Sequence, residues 1–237
     1  MLKCSVMLTT YDKVASLRQV LDAIFLQVVP FDWEVVVVND GPNPATLELL
    51  EEFCVYPNFN YYTTGNKAYR NPAAARNVAY RECKGEVVVS TCDDIVPQSN
   101  DVVARLVNEL QPNTFLLAKV LNYRGSRYIT DYCSLKRQAP FFFLGSALRK
   151  DLYSVGCYDE EFVHPDYDDN WLADCLMKGR GLQPEYSTDI VAHHLDHGRS
   201  TNSHARAGES LTLYKSKVAK GIWEASGGPW EYSNELQ

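Results

Sequence analysis

The apolar positions of the chain change their period several times over the first hundred residues, and each change marks an element. Residues 3–10, KCSVMLTT, read as a strand. Leu17, Val20, Leu21, Ile24, Phe25 and Val28 then recur every three or four residues, the stripe of an amphipathic helix that Pro30 ends. Residues 34–39 contain VVVV without polar alternation, which predicts a strand covered on both faces. A Pro-rich turn, a helix over 44–53 and a short aromatic strand over 59–63 follow. After the loop GNKAYRN, Pro72 opens a helix that runs to Lys84, with Gly85 as its stop. Val87 to Val89 repeat the unalternated strand signature. This order of strands and helices predicts an α/β fold, an open, mostly parallel sheet flanked by helices on both faces.

Beyond residue 100 the pattern predicts a helix over 102–110 and a strand over 114–121, then a loop or hairpin over 122–140. Residues 139–149, APFFFLGSALR, return to strand character broken at Gly145. In residues 164–179, Leu172 and Leu176 lie one helical turn apart, Asp168 and Asp169 fall in the first turn, and Gly179 ends the helix. A late strand over 187–194 runs into His193, His194 and His197, and residues 208–220 are helical. One domain over residues 1–220 is expected, with residues 221–237 as a tail that includes Gly227, Gly228 and Pro229.

Composition narrows the setting. A chain of 237 residues that is 46% apolar builds a full core, and it contains no apolar run of the length a membrane span needs. The start, MLKCSVMLTTYDK, is too quickly polar for a signal peptide, so a soluble, cytoplasmic protein is expected. The seven cysteines are scattered without CxxC spacing and read as reduced core thiols. Cys92, beside an acid pair, has a second reading as ligand or nucleophile. A net charge of -7 disfavours nucleic acid as a partner without excluding a modified one as acceptor, since Arg199, His204 and Arg206 form a local basic cluster.

The chemistry gathers at strand and helix ends. Asp93 and Asp94 fall just past the carboxyl end of a buried strand, where open α/β sheets keep their ligand crevice. Adjacent carboxylates repel unless a cation or a proton sits between them, although turn chemistry alone also places Asp there. Helix capping is the plain account of Asp168 and Asp169, and three imidazoles in HHLDH raise the odds of one ligand without saying which. Asp94, with or without Asp93, plus one imidazole would hold Mg²⁺ or Mn²⁺ incompletely, leaving positions for phosphate oxygens. Asp169 is then available to take a proton from an attacking hydroxyl. Dispersed cysteines make zinc the poorer reading.

Six segments in this order resemble the nucleotide-sugar-dependent glycosyltransferases of the GT-A fold, family 2 type. They are SVMLTTYDK at Ser5, VVVVNDG at Val35, NPAAARNVAY at Asn71, GEVVVSTCDDI at Gly85, GSALRKDLYSVGCYDEEF at Gly145 and DYDDNWLADCLMKG at Asp166. The resemblance implies that Thr9, Tyr11 and Asp40 hold the nucleotide base, commonly uracil, and that Arg76 lies near the nucleotide and diphosphate. It makes Asp93–Asp94 the DXD-type element, with Asp94 the metal ligand and Asp93 nearer the ribose or sugar. Asp169 becomes the base of an inverting enzyme, Asp168 and Trp171 candidates for the acceptor side, and His194 a metal ligand in preference to His193. Asp168 stands where the family has Glu, and Cys157 where a second Gly is usual. The implied reaction moves a sugar from a nucleotide-diphosphate donor, a UDP-sugar, to a hydroxyl on a glycan, lipid-linked or other acceptor, with Mn²⁺ or Mg²⁺. Competing readings are nucleotidyl transfer on the same fold, disfavoured because TTYDK is no Gly-rich phosphate loop, and a non-catalytic sugar-binding module.

Overall fold

The computed structural model describes residues 2–65, 71–196 and 206–226. Its first half alternates strand and helix: β1 (Cys4–Thr10), α1 (Val14–Phe25), β2 (Trp33–Asn39), α2 (Pro44–Phe53), β3 (Phe59–Thr63), α3 (Ala73–Glu82) and β4 (Val87–Cys92). The second half adds β5 (Ile95–Pro97), α4 (Val102–Asn108), β6 (Thr114–Arg124), β7 (Arg127–Tyr132), β8 (Leu144–Leu148), α5 (Arg149–Ser154) and α6 (Asp168–Asp174). A π turn at Cys175–Gly179, β9 (Gln183–His194) and α7 (Ala207–Lys220) complete it.

All the strands belong to one open sheet of order β3-β2-β1-β4-β8-β6-β9-β5, with β7 paired to β6. The unalternated valine runs are explained by burial on both sides. Val35 and Val37 join Val6, Leu8, Val87 and Val89 against α1, α2 and α4. Val36 and Val38 join Met7 and Val88 against α3, α5 and α6. The sheet expected to be open and mostly parallel is parallel through β3-β2-β1-β4, where helices make the crossovers. Beyond β4 it is mixed: β8 runs antiparallel to β4 and β6, while β9 runs parallel to β6.

Several boundaries depart from the sequence pattern. Gly145 does not break a strand. It sits inside β8 opposite Ser90, where a Cβ would stand 2.7 Å from Leu117 Cδ2 and 2.8 Å from the Leu116 carbonyl oxygen, so the missing side chain is what lets the strands approach. Gly85 does similar work where β4 enters beside the Cys4–Ser5 backbone. The irregular stretch after residue 121 is a hairpin, with β6 continuing to Arg124 and β7 returning. The α-helix predicted to reach Gly179 ends at Asp174 and finishes in a π turn. Within the expected tail, Trp223 packs 5.5 Å from the Trp171 ring and the Ala225 amide donates to the Val155 carbonyl at 2.7 Å.

Candidate active site

The carboxyl ends of β1, β2 and β4 lie side by side, because Thr9 is in register with Val38 on one side and Cys92 on the other. The loops leaving these strands therefore begin together, bringing Tyr11, Asp40 and the Asp93–Asp94 pair to one edge of the sheet. Asp40 is buried and fixed at both ends: its amide donates to the Thr10 carbonyl at 2.8 Å and its Oδ1 accepts from Thr64 Oγ1 at 3.1 Å. Tyr11 is 40% exposed at the mouth of this edge.

Asp93 and Asp94 are both buried, and the charge that compensates them comes from Lys13, for which the sequence pattern predicts no role. Lys13 Nζ donates to Asp94 Oδ2 at 2.6 Å and to Asp93 Oδ1 at 3.2 Å. Burial pushes the Asp93 carboxyl up and Lys13 opposes it. The only signal of this in the sequence was position, since Lys13 opens the helix after β1.

The histidines separate by strand alternation. β5 pairs antiparallel with the end of β9, Ile95 facing His194 and Val96 facing His193, and the Leu195 amide donates to the Asp94 carbonyl at 2.8 Å. His194 Nε2 consequently comes within 3.7 Å of Asp94 Oδ2, with its Nδ1 3.3 Å from Asn122 Oδ1. His193 sits 5.0 Å from the Tyr123 ring, and burial lowers its pKa. His197 and the basic cluster at Arg199 and His204 lie outside the described residues.

A second set of charges is built from α3 and α6. Arg76 Nη1 donates to Asp168 Oδ2 at 3.0 Å and to Asp169 Oδ1 at 2.9 Å, while its guanidinium lies 4.6 Å over the Tyr158 ring. Tyr158 Oη donates to the same Asp169 Oδ1 at 2.7 Å. Burial works against the charge on Arg76, but Asp169 and the other partners outweigh it and hold the guanidinium cationic. Asp168 is the more enclosed acid; burial first, then the charge on Asp169, pushes its pKa up to about 6.

The sequence explains why these groups meet. Asn77, next to Arg76 on α3, grips the Tyr158 backbone in both directions, Nδ2 donating to its carbonyl at 2.8 Å and Oδ1 accepting from its amide at 2.9 Å. Asn71 Nδ2 donates to the His164 carbonyl at 2.8 Å, and its Oδ1 accepts from the Ala73 amide at the start of α3. The motif NPAAARNVAY thus encodes a helix whose amides hold the two loops that carry Tyr158 and lead to Asp169. Asn77 and Tyr158 lie within the segments NPAAARNVAY and GSALRKDLYSVGCYDEEF, where nothing in one dimension marks their contacts.

The two acceptor-side candidates are both enclosed. Trp171 is 1% exposed and packed against Tyr214 and Trp223 in the core. Asp168 is likewise buried, facing Arg76. Cys92 remains a neutral thiol, since burial drives its pKa upward; Arg76, Asp94, Asp169 and Asp93 all act on it, which places both charge clusters in one neighbourhood.

The family model described as "Glycosyl transferase family 2" matches residues 5–163. The chain belongs to glycosyl transferase family 2. Among curated relatives of this family 2 chain, the "Uncharacterized glycosyltransferase YfnE" of Bacillus subtilis is 24% identical over 201 residues, 82% of this chain and 50% of the relative. The chain thus spans about half the length of that relative. Among solved structures, the mannosyltransferase PcManGT from Pyrobaculum calidifontis in complex with GDP-Man and Mn²⁺ superposes with a TM-score of 0.66 at 20% identity, covering 96% of this chain and 66% of that one. TarS 1-349 of S. aureus in complex with UDP-GlcNAc superposes with a TM-score of 0.68 at 17% identity, covering 92% and 66%. At these identities the structural likeness establishes the GT-A fold.

The donor set fits a hard divalent cation. Lys13 Nζ bridges the two buried carboxylates and the His194 imidazole approaches Asp94, so the side-chain atoms on offer here are oxygen and nitrogen, the kinds a hard divalent cation takes. Among the described residues no three His, Cys, Asp or Glu side chains are arranged to hold a metal ion, so an ion bound by Asp94 and His194 would need further ligands from its substrate or water.

Proposed function

We propose that this family 2 chain is a metal-dependent, inverting glycosyltransferase that moves a sugar from a UDP-sugar to an acceptor hydroxyl. The observation that carries this reading is the pairing of two charge clusters at one sheet edge: a cation-seeking acid pair at the end of β4, and a separate carboxylate, Asp169, held in place by Arg76 and Tyr158. Acid pairs alone are common at strand ends; the second cluster gives the site a base.

In this reading Tyr11 and Asp40 receive the base of the nucleotide, where the Asp40 carboxylate accepts from the imide N–H of uracil. Guanine offers a similar donor, so the choice of UDP is the finer part of the proposal. Asp94 and His194 hold Mn²⁺ or Mg²⁺, with Asp93 nearer the ribose or sugar and Lys13 compensating the pair when the ion is away. The bound ion supplies electrostatic stabilisation to the departing diphosphate. Asp169 takes the proton from the acceptor hydroxyl as its oxygen bonds to the anomeric carbon and the bond from that carbon to the diphosphate oxygen breaks. A single displacement of this kind inverts the anomeric centre. Both bonds that orient Asp169 fall on Oδ1, so Oδ2 is the oxygen that accepts the proton. Arg76 holds Asp169 in place, a positioning task, and its contact with the diphosphate is part of the same proposal.

A cytoplasmic setting fits seven cysteines that are all unpaired thiols, and among the described residues no helix is long and apolar enough to cross a membrane. The test is a thermal-shift comparison of UDP and GDP, each with Mn²⁺ and with EDTA, followed by product analysis. UDP in Mn²⁺ should raise the unfolding temperature and EDTA should cancel the rise, because a ligand at a hundred times its Kd stabilises by about 2.7 kcal/mol. Donor cleavage should release nucleoside diphosphate. Release of pyrophosphate would replace glycosyl with nucleotidyl transfer, and silence with both nucleotides would remove the donor site.

A further inference from the structure

Between Glu109 and Asp151 the sequence holds a single acid, Asp131, in a chain whose net charge is -7. That acid is buried, with Lys119 as its counter-charge. Arg124 and Arg127 are register partners where β6 turns into β7, and Lys136 and Arg137 follow β7 in the next turn. All four are exposed, and none forms an ion pair among the described residues. β7 itself pairs with β6 and, among the described residues, with no other strand, so a basic strip about 20 Å long runs along an open edge of the sheet.

Charge of one sign along a strand edge guards it against pairing with other chains, which is the plain account of the arginines. It does not account for what lies between them. Tyr128, Ile129 and Leu135 are 50%, 45% and 61% exposed, and they bring apolar surface into water on the same edge. We propose that this edge, from Arg124 to Arg137, is a docking surface for an anionic lipid bilayer. Rings and alkyl groups interleaved with cations match the headgroup boundary, where Tyr128, Ile129 and Leu135 enter and the guanidinium and ammonium groups meet phosphates. A soluble polyanion would use the cations and leave Ile129 and Leu135 in water. The acidic remainder of the chain is repelled by such a surface, so charge also sets the orientation. Arg137 lies 4.6 Å over the Tyr132 ring, and that ring is 6.4 Å from the His194 ring, so the docked strip ends beside the candidate active site. The proposal stands apart from the chemistry assigned to Asp169.

The experiment is co-sedimentation of the full chain with vesicles of phosphatidylcholine alone and of phosphatidylcholine with about 30% phosphatidylglycerol. The chain should bind the anionic vesicles, and binding should fall steeply as salt is raised from about 0.1 to about 0.5 M. Arg124→Glu with Arg127→Glu should lower partitioning at least about 25-fold, since each cation near such a surface contributes about fivefold. Tyr128→Ser with Ile129→Ser should lower it at least about tenfold without changing the salt dependence. Lys215→Glu with Lys220→Glu, the same change of charge on exposed positions of α7, should leave binding unaltered. A second measurement does not depend on losing binding: the added fluorescence of Tyr128→Trp should be quenched by brominated lipid in anionic vesicles. Equal binding to both kinds of vesicle, binding to neither, equal losses in the hairpin and α7 variants, or a Tyr128→Trp signal untouched by the quencher would each overturn the proposal. Binding to inorganic polyphosphate with none to anionic vesicles would overturn it in favour of a soluble polyanion.

Discussion

Replacing Arg76 with Met tests the second charge cluster most directly. The guanidinium lies 3.0 Å from Asp168 and 2.9 Å from Asp169, with side chains only 13%, 7% and 21% exposed. At an effective dielectric constant of about 20, each contact is worth roughly 5 kcal/mol of attraction, against which stands the desolvation of three charged groups. Breaking such a group by removing one partner costs about 3–5 kcal/mol, because the remaining charges stay buried without compensation. The loss depends on pH in a definite direction. In the native protein burial and Asp169 already push Asp168 up to about 6, with Arg76 opposing them. Without Arg76 the folded Asp168 carboxyl holds its proton to still higher pH, whereas in the unfolded chain it loses it near pH 4. The folded state then binds more protons than the unfolded state above pH 4, so stability falls as pH rises through that window. Urea unfolding of both proteins at pH 5 and pH 8 should show the deficit approaching 3–5 kcal/mol at pH 8 and clearly smaller at pH 5. A deficit below about 1 kcal/mol at pH 8, or an equal one at both values, would refute the argument that Arg76 compensates a buried acid pair.

Other perturbations separate the remaining roles. Asp169→Asn should keep UDP and Mn²⁺ affinity, measured by calorimetry, and lower turnover by about 10²- to 10⁴-fold; near-normal turnover would remove Asp169 from the role of base. Lys13→Ala should lower the unfolding temperature in EDTA and recover more than the native protein does on adding Mn²⁺, since the ion takes over compensation of Asp93 and Asp94; equal responses would show that Lys13 does not stand in for a cation. Gly145→Ala, whose Cβ would press on Leu117 and the Leu116 carbonyl, should cost about 1–3 kcal/mol in chemical denaturation, and a neutral result would mean β8 shifts freely.

The parts of this structure that were legible in the sequence are those in which one local rule acts alone. Unbroken valine runs gave β2 and β4 because burial on two faces leaves no polar position to interrupt them, and Pro44 and Pro72 marked helix starts because proline suits a first turn. The antiparallel half was harder, since its pairings are set by distant partners: Ile95 finds His194 a hundred positions away, and three residues at Ile95–Pro97 carry no period of their own. Gly145 misled for a related reason. A glycine required for close approach of two strands looks, in one dimension, like a glycine that ends a strand. Among the site residues, paired acids announced themselves by adjacency, whereas Lys13 and Tyr158 have roles that exist only through contacts with residues 80 and 11 positions away.

The position of the two clusters follows from where the sheet changes direction. β4 is parallel to β1 on one side and antiparallel to β8 on the other, so the chain leaving its carboxyl end emerges where the strand direction changes, the place such sheets keep their ligand crevice. Asp93 and Asp94 occupy that exit, and the short β5 that follows is what draws the end of β9, with His194, back to them. α3 packs against the parallel half through Val78 and Ala79 and reaches across the seam with its neighbours Arg76 and Asn77, one holding the acids of α6 and the other the backbone of Tyr158. A single helix packed on β1 and β2 therefore fixes where the carboxylate that begins α6 sits relative to the parallel half of the sheet. A substitution that tilts α3 should displace Asp169 and Tyr158 together, because both are held from that helix.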